Sequence, residues 1–597
     1  MASEKVDVVV VGAGWYGLCA AKTYLQVSPD TNVVVLEEAA SAGGVWAKHR
    51  LYPGLKSNNQ YGLYDPNLGT YEYPDFPMKP FNVTPGTHIP GEIVHEYLVA
   101  YAKKFGVYDR IRFNSKLTTA EYKEAEDQWL LTIGEGESAK TLLTDKLIMA
   151  TGVTSEPFVP VFEGQEAFDR PLFHAKDLLR HSDDLLKSAK SVTVFGGSKS
   201  AWDAVYLFAS NGIKVNWVVR SKGTGFCWMA PSKVTPAKKW IEKLVTTRFL
   251  CWFSPCIWDQ ADGYAGVRNF MHGTAVGRGI VDTFFGILGS DVSALCGYDK
   301  HPETKKMKPL TNPFFIASTL SILNYPTDIF EYVRDGTVSI HIKDIDHLTP
   351  GQIHLSDPAK PDEPTVIDTD ALICSTGWKY KPHVKFLPEG IERDLGLPYV
   401  NKETPDYADE ELTKKADAEI LKKYPRLANQ PTVNPNYQPL HGNSEHDELN
   451  RPFRLWRLLA PPSKRFRNSI TFCGALMNLD TSITAHIQSL WTVAYMTNRL
   501  KPAEEKSQED LEWEATLWSR FGRWRTSGGY GRRYPDFVFD SVAYFSHLLQ
   551  DLGIEPLRKS GFFNRVFNPY GPEDYVTVVD EWLDKNKKTV DAAPAAE

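Results

Sequence analysis

Two glycine-rich turns, each closing a run of β-branched residues, lie roughly 180 residues apart in this chain of 597 residues. The first is VDVVVVGAGWYG, with Gly12, Gly14 and Gly17 in the G-x-G-x-x-G register; the second is SVTVFGGSKSAWD, with Gly196, Ser198 and Ala201 in the equivalent places. In strand-then-helix context such turns bring backbone amides to a pyrophosphate. Gly12 permits the tight turn, Gly14 keeps a Cβ away from the phosphates, and Gly17 lets the helix approach the strand. The phosphates then meet free N–H groups at a helix N-terminus, where the dipole favours anions. Lys199 and Ser200 open the second helix and are candidates for the same contact.

The strand after each turn separates the two sites. Glu37 ends the strand TNVVVLEE about 20 residues past Gly17, where a carboxylate can accept from ribose hydroxyls. That is the pattern for FAD or NAD. The corresponding strand after the second turn, KVNWVVRSK, ends in Arg220 with Lys222 nearby. A cation there suits a 2′-phosphate and favours NADP.

These residues call for an α/β fold with two Rossmann-like domains. The strand TDKLIMA runs into Ala150-Thr151-Gly152, and TDALICS runs into Ser375-Thr376-Gly377, so each strand-then-T-G element is expected to carry the chain between domains. A third glycine turn, ITFCGAL, precedes a helical pattern that reads as the return of the first domain. The expected order is a discontinuous FAD domain over residues 1–179 and 381–505, with an NADP domain inserted at 180–380. That inserted domain carries an aromatic insert at about 226–300. Residues 400–468 are expected on the surface. The 506–597 segment has no assigned chemistry, and its polar end KNKKTVDAAPAAE reads as disordered. Within the insert, Ile241, Val245, Phe249 and Trp252 fall at helical spacing with lysines alongside, an expected basic amphipathic helix. It reads as a surface helix or as a peripheral dock on a lipid surface.

Composition narrows the class. Net charge is −7 with both signs interspersed, so no global field attracts nucleic acid. The opening MASEKVD is too short and acidic for a targeting peptide, and no apolar run of the length needed for a spanning helix is read. The expected location is cytoplasmic. Seven scattered cysteines lack zinc spacing and read as reduced thiols.

The motifs together resemble the flavin-containing monooxygenases, particularly fungal members. Those motifs are GAGWYGL, the GGVW at Gly43 to Trp46, YPGLKSN at Tyr52 to Asn58 followed by YPDFPM, ATG, FGGSKSAWD with Arg220, and CSTGW. The resemblance implies FAD and NADPH on one chain, with oxygen added to the reduced flavin as a C4a-hydroperoxide and one atom passed to a small lipophilic substrate. Nitrogen or sulfur is the expected target, in secondary metabolism for the fungal branch. It implies that Asn58, after Ser57, lies near the flavin and the nicotinamide, and that Gly44, Val45 and Trp46 lie against FAD. The fingerprint F-x-G-x-x-x-H-x-x-x-W/Y is met by Phe168, Arg170, His174 and Leu178, so its glycine and final aromatic are missing. This departure weighs against a Baeyer–Villiger alternative and leaves His174 as an interface residue rather than a base. A second alternative, a flavoprotein disulfide reductase, would need a redox pair; Cys251 and Cys256 have the spacing but come after the wrong glycine turn.

Overall fold

The computed structural model describes residues 4–62, 69–235, 238–357, 364–442, 449–526 and 530–591. Its first sheet is built on the strand Glu4–Val11, flanked in parallel by Val33–Leu36 and by Lys140–Met149. Ile111–Arg112 extends one side and Ile470–Phe472 pairs with the end of Lys140–Met149, both in parallel. Val8, Val9 and Val10 are all buried, because both faces of the sheet are covered: Val8 and Val10 pack with helix residues such as Leu18 and Ile487, and Val9 packs with Trp129, Leu131 and Phe386. An antiparallel meander, Leu117–Lys123, Gln128–Ile133 and Lys140–Met149, with Lys385–Leu387 at its edge, completes the eight strands.

The second sheet has five parallel strands in the order Leu172–His174, Leu372–Cys374, Ser191–Phe195, Lys214–Val219 and Val338–Ile342. All five fall in sequence between Met149 and Lys385, so the second sheet is nested inside the first. The two crossings lie side by side. Glu156–Pro157 pairs with Trp378–Lys379 in antiparallel fashion just beyond the two T-G elements, and the Phe158 amide donates to Gly377 O at 3.0 Å.

Several expectations are corrected by tertiary packing. The stripe from Ile241 to Trp252 is not one helix but two single turns, Ile241–Leu244 and Arg248–Cys251. Ile241 and Val245 are core residues, and Arg248 is fully buried between Tyr570 Oη at 2.9 Å and Ser546 Oγ at 2.9 Å. The basic surface helix therefore does not exist. The apolar helix of this region is Ala275–Cys296, which is long and apolar enough to cross a membrane by length and composition, contrary to the reading that no such run occurs. Val276 and Ile287 on it are more than half exposed. Residues 451–460 are interior rather than surface: Arg451, Trp456 and Leu459 are buried. A helix, Val578–Asp591, runs through the first part of the polar tail expected to be disordered, whose last residues lie outside the described ones.

The C-terminal segment belongs to the same core. Met477 and Asp536 form a parallel bridge, and Ser541–Asp551 packs on the helix Thr481–Met496, which is buried from Ser482 onward. Tyr544 Oη joins these elements, accepting from Gln488 Nε2 at 2.9 Å and donating to Arg457 O at 2.9 Å.

Candidate active site

A cavity of about 290 Å³ opens over the first glycine turn, lined by residues 11–16, 36–39, 43–45 and 150–155, with Gly474 from the third turn. The glycines are there because backbone meets backbone. A Cβ on Gly12, whose φ is +106°, would stand 2.5 Å from Ala150 O, and one on Gly17 would overlap Gly12 O. Gly14 and Gly44 face each other, a Cβ on Gly44 lying 3.1 Å from Gly14 Cα. The helix Trp15–Val27 has no side-chain cap at Gly14, so its first amides stay open to an anion. At the far wall Gly474 N donates to Gln488 Oε1 at 3.0 Å, and a Cβ on Gly474 would press into the Tyr16 ring.

Glu37 lines the same cavity and is buried. Its carboxylate accepts from Ala13 N at 2.7 Å and Ala39 N at 2.9 Å, which ties the acid to the turn it serves. Burial raises its pKa, and these amides oppose the rise. Five basic side chains not anticipated from the sequence share the lining: His49, Arg50, Lys116, Lys176 and His383. Arg50 donates to Thr154 O at 3.4 Å and lies over the Trp378 ring at 5.3 Å; burial pushes it down to about 10. Lys176 donates to Ser155 O at 2.7 Å.

The second turn repeats the backbone logic. Gly196 has φ of +133°, and a Cβ there would overlap Ser375 O of the second T-G element. Ser198 precedes the helix Lys199–Ala209 without capping it, and Ser198 Oγ lies 3.1 Å from Ser200 Oγ. Arg220 donates to Gln438 O at 2.9 Å, with Asp344 at 3.6 Å. Lys199, expected to meet phosphate, is engaged by Asp203 and by Asn324 Oδ1 at 3.0 Å.

Similarity to known proteins agrees with this geometry. The chain is 33% identical to the FAD-dependent monooxygenase DEP4 of Alternaria brassicicola over 97% of its own length and 95% of that protein. It is also 33% identical to the FAD-dependent monooxygenase resA of Aspergillus sclerotiorum, over 97% and 98%. The chain belongs to this family of FAD-dependent monooxygenases. A family model described as L-lysine 6-monooxygenase/L-ornithine 5-monooxygenase matches residues 78–235. The fold is that of cyclohexanone monooxygenase from Rhodococcus sp. Phi1, bound to NADP+, with a TM-score of 0.58 at 14% identity, covering 92% of this chain and 98% of that one.

The first site of this monooxygenase fits FAD on its own features: uncapped helix amides, glycines where a Cβ has no room, and a buried carboxylate beside the turn. Gly12, Gly14, Glu37, Gly44, Val45 and Thr151 all line the cavity. Trp46 does not; its indole donates to Tyr71 Oη at 2.8 Å within the core, because the tight 3-10 turn Gly44–Trp46 points Val45 outward and Trp46 inward. Ser57 and Asn58 do not line it either. They stand on the strand Lys56–Gln60, which the inserted segment grips through Glu242: Gln60 N donates to Oε1 at 2.9 Å and Asn59 Nδ2 to Oε2 at 3.1 Å.

His174 is buried on the edge strand of the second sheet, accepting from Lys176 N at 3.1 Å, with its ring 4.8 Å from Trp378. Burial pushes it down to about 4, which fits a neutral interface histidine. All seven cysteines are free, and Cys251 and Cys256 are buried in the insert; burial pushes the Cys251 thiol up to about 12. A thiol so hard to ionise is a poor redox nucleophile.

Proposed function

We propose that this FAD-dependent monooxygenase draws its electrons from NADPH and inserts one oxygen atom into a small lipophilic substrate at nitrogen or sulfur. The balance is one NADPH, one proton and one O2 consumed per oxygenated product, with the second oxygen leaving as water. The observation that carries the NADPH reading is Arg220, a guanidinium at the end of the strand after the second glycine turn, where it can pair with a 2′-phosphate. Bound FAD supplies a two-electron carrier able to react with oxygen. Glu37 would accept from the ribose, the amides at Gly14 and Trp15 would receive phosphate, and Asn58 offers an amide donor that is not an acid. The nitrogen or sulfur preference rests on the altered fingerprint at Arg170 and Leu178. Product mass spectrometry with labelled O2 across tertiary amines, thioethers and ketones tests it: labelled N-oxide or sulfoxide is expected, and labelled ester from ketone alone would replace it with the Baeyer–Villiger reading.

A further inference from the structure

The strand that carries Asn58 is tied by one buried side chain to the helix that opens the second dinucleotide site. Asn324 comes just after the strand Leu320–Ile322, itself fixed to Trp228–Ala230 by parallel pairing and by Leu323 N donating to Ala230 O at 2.9 Å. Its Oδ1 accepts from Lys199 Nζ at 3.0 Å, and its Nδ2 donates to Lys56 O at 2.9 Å and Ser57 O at 3.2 Å. An ammonium can only donate and a carbonyl can only accept, so the amide has one orientation that satisfies all three partners. The next residue reinforces the link: Tyr325 Oη donates to Asp203 Oδ1 at 2.9 Å, and Lys199 lies 4.9 Å from the Tyr325 ring. Lys199 and Asp203 are both on the first turns of Lys199–Ala209, the helix whose uncapped N-terminus faces the second glycine turn. On the other side of the Asn58 strand, half-buried His88 is pushed down to about 4, by desolvation first and then by Lys199.

Resting on the NADPH reading, we propose that Asn324 is a positioning residue that transmits occupancy of the second dinucleotide site, through Lys199, to the backbone of the Asn58 strand. An anion at the helix N-terminus competes with Asp203 for Lys199. A change at that ammonium is felt at Asn324 Oδ1, and through the same planar amide at two carbonyls just before Asn58. Such a link matches the readiness of the oxygenating side to the presence of the nicotinamide dinucleotide.

Asn324→Asp separates the two halves of the link, since a carboxylate keeps the bond to Lys199 but has no donor for Lys56 O and Ser57 O. Hydrogen exchange of the FAD-loaded protein is measured with and without saturating NADP+. In the wild type NADP+ is expected to slow exchange over Lys56–Gln60 by about five- to tenfold, the worth of one hydrogen bond; in Asn324→Asp that protection is expected to vanish while the NADP+ dissociation constant stays within about threefold. Lys199→Met breaks the link from the other end and is expected to lose the same protection at saturation, which covers the case in which Asn324→Asp does not retain FAD. Equal protection in wild type and in either variant overturns the proposal, as does binding of NADP+ to wild type without any protection of this strand. No binding to the wild type, seen as an unchanged flavin spectrum on titration, overturns the NADPH reading together with this one.

Discussion

The two glycine turns share a backbone plan and differ in what surrounds them. Around the first, three segments distant in sequence close on one another: Gly43 N donates to Ala13 O at 2.8 Å, Gly44 abuts Gly14, and Gly474 lies against Tyr16. Its ribose acid, Glu37, is buried and already bonded to the turn. Around the second, the ribose-end cation Arg220 is held by a single backbone carbonyl, Gln438 O, and by an acid at 3.6 Å. A site whose walls and acid are locked into the core suits an occupant that stays. One whose candidate charge, Arg220, is held by polar partners outside the glycine turn suits an occupant that comes and goes each turnover.

That contrast is open to direct attack. The largest effect is expected from Gly17→Val, because even the first carbon of a side chain overlaps Gly12 O; the purified protein should be colourless and unstable, read from flavin absorbance and thermal unfolding. Gly14→Val meets only an ordinary 3.5 Å contact with Gly44, so it should fold and yet bind FAD poorly. A full flavin complement in both would break the account of the first site. Glu37→Ala leaves two amides without their acceptor, at a cost of about 1–3 kcal/mol each when buried, and should lower the unfolding temperature and raise the FAD dissociation constant together.

At the second site effects should fall on affinity and leave the fold alone. Arg220→Ala is expected to weaken NADPH binding about ten- to hundred-fold, from a charge-assisted contact of roughly 1.5–3 kcal/mol, with NADH nearly unaffected and flavin content unchanged. Equal losses for both nicotinamides would make Arg220 structural. Between the sites, Asn58→Ala should still consume NADPH and oxygen but release more hydrogen peroxide and less product, measured as product per NADPH; unchanged coupling removes Asn58 from the chemistry.

The smallest effect concerns His174. Its folded pKa, pushed down to about 4, lies below the unfolded value near 6.5, so unfolding takes up a proton between the two. The stability it contributes is present above about pH 6.5 and is lost as pH falls towards 4. His174→Gln should therefore flatten the acid limb of the unfolding curve and leave the pH–rate profile near neutrality unaltered. A lost acid limb in the pH–rate profile would make the histidine a base.

Much of the fold and of the first site is legible in the sequence because the relevant signals are local. The turn at Gly12 to Gly17, its acid Glu37, the second turn and the two crossing elements are each a strand and a few residues beyond it, and their geometry comes from backbone sterics. Trp46 misleads because a tryptophan beside two glycines carries no mark of which way it faces; the 3-10 turn decides that. The stripe at Ile241 to Trp252 misleads because Arg248, which reads as a surface cation, is satisfied by Tyr570 and Ser546 from some 300 residues away. Glu242, Asn324 and Gln488 are illegible for the same reason. Each is an ordinary polar residue until a distant segment presents the partner it satisfies.

The joining of Tyr544 to Gln488 and Arg457 has a consequence for how the protein is made. The strand Glu4–Val11 leaves the ribosome about 530 residues ahead of the helix Ser541–Asp551 that seals the wall behind Gly474. At about 5–20 residues per second, the first strand waits roughly half a minute to two minutes before the wall behind Gly474 is sealed. Dependence on protective chaperones during synthesis should be relieved by the arrival of Ser541–Asp551.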